Sequence, residues 1–70
     1  MRLRWFYTAY VRDADGYGVA SFGFDVETAD EGVQKIVESV ADIDWQPIEV
    51  PPVGVPPMKI GDVRVMIHTV

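Results

Sequence analysis

Aromatic and β-branched residues dominate two stretches near the amino terminus, Leu3 to Val11 and Tyr17 to Val26. Such residues are typical of β-strands. Between the stretches, Asp13 to Gly16 form a polar segment that favours a four-residue loop built on a type I turn, with Gly16 in the left-handed conformation that glycine tolerates best. The pattern therefore predicts a β-hairpin over residues 3–26.

One register of this hairpin sorts its side chains into two chemically different faces. Pairing Leu3 with Val26 places an apolar set on one face, because side chains alternate along a strand. That set comprises Leu3, Trp5, Tyr7, Ala9, Val11, Gly18, Ala20, Phe22, Phe24 and Val26. The other face then pairs Arg4 with Asp25, Phe6 with Gly23, Thr8 with Ser21, Tyr10 with Val19 and Arg12 with Tyr17. A shift by one residue would mix the two sets, so the pattern itself favours this register.

A helix is predicted over residues 28–42. Thr28 and Glu31 have the spacing of a capping box, and Glu31 could pair weakly with Lys35 one turn later. Gly32 weakens a helix by about 1 kcal/mol relative to alanine, and it either permits a close backbone contact or has no special role. The apolar stripe expected to face the hairpin comprises Ala29, Val33, Ile36, Val37 and Val40.

The carboxy-terminal half predicts two further strands, over residues 46–50 and 62–70. Pro47 indicates that the first of them lies at a sheet edge or begins at this residue, because proline cannot donate to the ladder. Four prolines within residues 51–57 favour an extended, irregular arch between the strands. The element order ββαββ predicts a single α+β domain, in which one helix packs on one face of a small antiparallel or mixed sheet.

The small size of the chain affects its stability. A domain of 70 residues buries only about 60% of the surface that its unfolded chain exposes. The chain has no cysteine and one histidine, so neither a disulfide nor an evident metal site is available to stabilise the fold. We therefore expect a homodimer or a higher homo-oligomer.

Negative charge is concentrated in one region. The net charge is −5, and residues 25–44 contain seven acidic side chains and a single lysine. Such a surface repels phosphate backbones and attracts a basic protein, so we expect no direct nucleic-acid binding. A secretion signal and a long apolar run are both missing from the sequence, which predicts a cytoplasmic protein without a membrane segment.

The carboxylates do not have the spacing of a metal site. Asp13 and Asp15 lie beside a glycine, but Phe22 stands where a calcium loop would need its glutamate. Glu38, Asp42 and Asp44 lack a second type of ligand at a set spacing. We expect turn residues and a solvated helix face instead, and predict neither a metal nor a cofactor.

Catalytic chemistry is also poorly represented. His68 is the single histidine, and neither Ser21 nor Ser39 lies in a recognisable nucleophile motif. A lone histidine on an alternating strand is usually structural, although its titration near neutral pH leaves a functional role open. The sequence predicts a protein that is not an enzyme, with no catalytic residues.

The hairpin bend, the T-x-x-E helix start at Thr28 and the later segment PIEVPP are similar to HicB-type antitoxins. The likeness covers about two thirds of the chain, but the loop and the extra strand that such proteins carry before the helix are missing. It implies a small acidic protein that neutralises a toxin ribonuclease. Small phage-encoded inhibitors of host defence or transcription systems have a similar size and charge, and such a protein would act in the host cytoplasm.

Two functions remain open at this point. The first is a non-enzymatic inhibitor that binds a larger, basic protein, and its candidate contact residues are Arg4, Phe6, Tyr10, Arg12, Tyr17, Asp30, Glu31, Glu38 and Asp42. The second is an oligomer that sequesters a nucleotide-like ligand, with Arg12, Tyr17, Arg64 and His68 as candidate ligand-binding residues.

Overall fold

The computed structural model describes residues 3–49 and 54–68, which form a four-stranded antiparallel sheet with one α-helix. The elements are β1 (Leu3–Asp13), β2 (Gly16–Val26), α1 (Ala29–Glu38), a 3-10 turn (Val40–Asp42), β3 (Gln46–Ile48) and β4 (Val63–His68). In space the strands follow the order β3-β2-β1-β4. The predicted α+β class and the ββαββ order are confirmed, and every strand pair is antiparallel.

The hairpin has the predicted register from Leu3 opposite Val26 to Arg12 opposite Tyr17. The loop is shorter than predicted, because Asp13 and Gly16 also pair and leave two residues at the bend. The Asp13 carboxylate stabilises this bend by accepting hydrogen bonds from the backbone N–H groups of Asp15 and Gly16, at 2.8 and 3.0 Å. Gly16 has a φ of +143°, a positive value that favours glycine.

The helix is shorter than the predicted range of residues 28–42. It ends at Glu38, where the backbone N–H of Ser39 bonds to the carbonyl of Ile36, and a single 3-10 turn follows. That turn brings Ile43 against the core and allows the Trp45 indole N–H to donate to the carbonyl of Val40 at 3.2 Å. The 3-10 turn therefore allows Ile43 and Trp45, which lead into β3, to pack against the core.

Two expectations about the helix are wrong. Thr28 occupies the N-cap position with an extended backbone, but its side chain makes no capping hydrogen bond. Val37 is 53% exposed, whereas Gly32 and Ile36 are the buried positions of α1. The buried side of the helix is therefore rotated away from Val37 and towards the glycine.

The core lies between the sheet and α1. Its fully buried members are Tyr7, Ala9 and Ile36. Partly buried hydrophobic residues surround them: Trp5, Phe22, Phe24, Val33, Ile43, Trp45 and Val65. Most of the predicted apolar face of the hairpin thus packs beneath the helix, as its alternating pattern indicated, but Leu3 at the start of β1 is 48% exposed and lies outside the core.

The carboxy-terminal strands extend the sheet on both sides. β3 and its Pro47 lie at one edge, as predicted, and β4 lies at the other. β3 ends at Ile48, before the predicted end at residue 50, and β4 begins at Val63, one residue later than predicted. Of the predicted elements, residues 50–53 and 69–70 lie outside the described part of the chain, and residues 54–57 have no regular secondary structure.

Candidate functional site

The face of the sheet opposite α1 is called the open face below. The strand registers place on it Arg4, Phe6, Thr8, Tyr10 and Arg12 from β1, Tyr17, Val19, Ser21, Gly23 and Asp25 from β2, Gln46 and Ile48 from β3, and Arg64, Met66 and His68 from β4. Phe6 and Met66 remain 40% and 41% exposed. The carboxy-terminal strands therefore widen this face instead of covering it.

Three of the predicted contacts on the open face are present. Arg4 forms an ion pair with Asp25 at 3.1 Å and lies 5.8 Å from the centre of the Phe6 ring. Phe6 lies over Gly23, where an added Cβ would be 3.3 Å from the ring. The Arg12 guanidinium lies 4.6 Å from the Tyr17 ring centre, a cation–π contact that holds both side chains against the sheet.

β4 changes the polar contacts in the middle of this face. Thr8 lies opposite Ser21 in the register, but its hydroxyl oxygen is 2.8 Å from Nε2 of His68 on β4. His68 itself lies opposite Phe6, and Arg64 lies opposite Tyr10. The hydroxyl pair expected across the hairpin is therefore replaced by a hydrogen bond across β1 and β4.

The candidate partner-binding residues fall on two surfaces. Arg4, Phe6, Tyr10, Arg12 and Tyr17 share the open face, as the register requires. The acidic candidates Asp30, Glu31, Glu38 and Asp42 are exposed on α1 and the 3-10 turn, on the other side of the sheet. A flat partner surface can contact only one of these two groups.

Charge is accordingly separated between the two sides. The open face contains three arginines and one aspartate. The helical side contains most of the acidic residues of the segment 25–44, in which Lys35 is the one lysine. Arg4 and Asp25 form the only ion pair among the described residues. The open face is therefore cationic within a chain of net charge −5.

Of the candidate ligand-binding residues, Arg12 and Tyr17 are in contact with each other, whereas Arg64 and His68 are not close together. Arg64 and His68 are four residues apart on β4, about 13 Å at the usual rise of a strand. A cleft of about 360 Å³ adjoins Tyr17, but its lining includes three acidic residues, Asp13, Asp15 and Glu49, together with Trp45. These carboxylates make the cleft unfavourable for a phosphate.

A second cleft of about 360 Å³ lies between α1 and β2. It is lined by Phe22, Phe24, Ile36 and Ile43, with Lys35 and Ser39 at its polar side. The rings of Phe22 and Phe24 stack with their centres 5.9 Å apart. Because this cleft adjoins the core, it marks a part of the sheet that the short helix leaves partly uncovered.

Groups suited to metal or acid–base chemistry are sparse. Residues 3–49 and 54–68 hold no cluster of three or more His, Asp or Glu side chains that could ligate a metal. The polar contact of His68 is with Thr8, which is not an acid or a base at neutral pH. Within the same ranges, no helix combines the length and the apolar character needed to cross a bilayer.

Sequence reasoning missed Met66 as a member of the open face. The alternation along β4 was visible in the sequence, but the partner strand that sets which side faces the helix was not.

Comparison with protein-family models, with curated proteins and with solved structures gave no match for this chain.

Proposed function

We propose that this chain is a non-enzymatic binding protein that attaches to a larger protein through its open face and inhibits it. The observation that supports this is the arrangement of aromatic rings beside arginines on a sheet face opposite the helix. Tyrosine, phenylalanine, methionine and arginine are enriched in protein interfaces, where they act as anchors.

The aromatic side chains of the open face favour a binding role. Phe6 is 40% exposed, and Tyr10 and Tyr17 are partly exposed. Covering these rings with a partner would remove apolar surface from water, and each tyrosine keeps a hydroxyl for a hydrogen bond. The contact of Arg12 with Tyr17 orders both side chains before binding, which lowers the entropy lost on association.

The charge of the open face suggests the chemistry of its partner. Arg12 and Arg64 would meet carboxylates, whereas a basic partner surface would have to meet α1 instead. We propose that the contact is made by the open face, with an acidic patch on the partner. The acidic helix would then point away from the complex and orient the approaching molecules.

A pull-down from a lysate of the source organism tests this assignment. The double variant Phe6→Ser/Tyr10→Ser should lose the partner that the unmodified chain retains, because both rings are removed from the open face. Val37→Ser is the matched control, since Val37 is a similarly exposed apolar residue on α1. Its capture should equal that of the unmodified chain.

A charge variant separates the two sides of the molecule. Replacing Asp30, Glu31, Glu38 and Asp42 with their amides should leave the equilibrium affinity for the captured protein within about threefold, because charges away from a contact act mainly on the association rate. If this variant loses the partner while Phe6→Ser/Tyr10→Ser keeps it, the helix makes the contact and the proposal is wrong. Inhibition itself is tested separately, by measuring the activity of the purified partner with and without this chain.

Sequestration of a nucleotide-like ligand is less well supported. The cleft beside Tyr17 is lined with carboxylates, and Arg64 and His68 lie far apart along β4. Calorimetry with a nucleoside triphosphate would detect such binding, and an affinity in the micromolar range would favour this alternative over the protein partner.

A further inference from the structure

The two edges of the sheet differ in how well they are protected. β3 forms one edge with three residues and contains Pro47, which has no backbone N–H. β4 forms the other edge with six residues, Val63–His68, and contains neither proline nor lysine. Among residues 3–49 and 54–68, no strand pairs with the outer side of β4. Apart from Arg64, whose side chain lies on the open face, and His68 at its end, this edge is apolar, and an edge of this kind is a template for pairing with another strand.

The direction of the backbone groups on β4 follows from its ladder with β1. The Arg12 N–H donates to the carbonyl of Asp62 at 3.1 Å, and the carbonyl of Arg12 accepts from the N–H of Gly61 at 2.8 Å. Even-numbered residues of β1 therefore direct their backbone groups towards β4, because the direction alternates along an antiparallel strand. The β4 residues paired with them are Arg64, Met66 and His68.

The remaining residues of β4 direct their N–H and C=O groups away from the sheet. These are Val63, Val65 and Ile67, whose side chains lie on the side of the helix. Val65 packs against the core, whereas Ile67 at the rim of the sheet is 43% exposed. This edge thus combines an apolar row with the outward backbone groups of three residues, which have no partner within residues 3–49 and 54–68.

We propose that β4 pairs antiparallel with β4 of a second copy, about a two-fold axis at Val65. Val63 of one copy then lies opposite Ile67 of the other, so the apolar rows of the two copies are in contact side by side on the same face of the sheet. On the open face, Arg64 lies opposite Met66 and no two like charges meet. The result is a continuous eight-stranded sheet with both helices on one side.

Self-complementarity is the reason for assigning a second copy to this edge. In the proposed register, Val63, Val65 and Ile67 of each copy all lie opposite one of these three residues in the other copy. A shift of the register by two residues would leave one of the three without such a partner. A chain of 70 residues also has little buried core, so added apolar contact stabilises it appreciably. The dimer does not depend on the proposed function, because the open faces of both copies remain accessible.

The oligomeric state tests the proposal directly. We expect light scattering and sedimentation to show a reversible monomer–dimer equilibrium between about 1 and 500 µM, as is usual for a small interface. Ile67→Lys should raise the dissociation constant at least about tenfold, since a charge at an edge blocks strand pairing. Val37→Lys is the control and should dimerise like the unmodified chain, because it introduces the same charge on α1.

A measurement on the unmodified chain tests the interface without depending on whether the variants fold. Amide exchange followed by NMR should show that Val63, Val65 and Ile67 become protected as the concentration rises, whereas Gln46 on β3 does not change. A monomer throughout the concentration range would overturn the proposal. So would a dimer that survives Ile67→Lys but is lost in Phe6→Ser/Tyr10→Ser, because that result places the interface on the open face.

Discussion

The phenol ring of Tyr7 lies directly against the backbone of Gly32, in the space that any side chain at that position would occupy. Tyr7 is 1% exposed, and its hydroxyl donates a 2.7 Å hydrogen bond to the carbonyl of Ala29 in the first turn of α1. This contact joins the helix to the middle strand of the hairpin. It also explains why a residue that weakens an isolated helix occurs in the buried side of this one.

Gly32→Ala should therefore destabilise the protein, although alanine favours a helix. The added methyl group would overlap the Tyr7 ring, and we expect a loss of about 2 kcal/mol in the free energy of unfolding, measured by urea denaturation. Lys35→Ala, an exposed change on the same helix, should alter it by less than about 0.5 kcal/mol. A raised melting temperature for Gly32→Ala would show that helix propensity outweighs the contact.

The free energy of unfolding should fall as the pH rises above about 10, the ordinary pKa of tyrosine. Burial raises the pKa of Tyr7, and the nearby carboxylates of Asp30 and Glu31 raise it further. In the unfolded chain Tyr7 loses its proton near its ordinary pKa, whereas in the native state it keeps the proton to a higher pH. The native state then holds more protons than the unfolded state, so the free energy of unfolding decreases as the pH rises through this interval.

Tyr7→Phe isolates this effect. Removal of the hydroxyl should lower the free energy of unfolding by about 1 kcal/mol near pH 8, because the hydrogen bond to Ala29 is lost. The variant should also show a shallower loss of stability between pH 10 and pH 12. Urea midpoints across this range give the comparison, and parallel curves for the two proteins would contradict the assignment to Tyr7.

Arg12 and Tyr17 should be energetically coupled. A double-mutant cycle with Arg12→Ala and Tyr17→Leu is expected to give a coupling energy of about 0.5 to 1 kcal/mol, because the guanidinium lies over the ring at a solvent-accessible site. Tyr17→Phe keeps the ring and should keep most of the coupling. A coupling near zero would mean that the two side chains do not order each other before binding.

The two aspartates of the hairpin bend should differ in their effect. Asp13→Ala removes the acceptor of two backbone hydrogen bonds and should destabilise the protein by about 1 kcal/mol. Asp15→Ala leaves both hydrogen bonds in place, since only the backbone of Asp15 takes part, and should have little effect. Equal losses in thermal denaturation would contradict this account of the turn.

The register of the hairpin could be read from the sequence, because its information is local. Side chains that face each other across a short bend must agree pair by pair, and a shift by one residue would have placed Trp5 and Tyr7 on the opposite face from Phe24. The same alternation predicted which face lies under the helix. The end of α1 was less predictable, because Glu38 and the residues after it are equally compatible with a longer helix.

The tertiary structure alone decided which strands lie at the edges and what the open face contains. β4 pairs with β1, which lies more than 50 residues earlier in the chain, and the alternation of polar and apolar residues along β4 does not identify that partner. The pairing places Met66 and Arg64 beside Tyr10, and it leaves Val63, Val65 and Ile67 on the outermost strand of the described sheet. Contacts between distant segments depend on how the whole core closes, so the fit of Tyr7 against Gly32 appears only once sheet and helix are packed together.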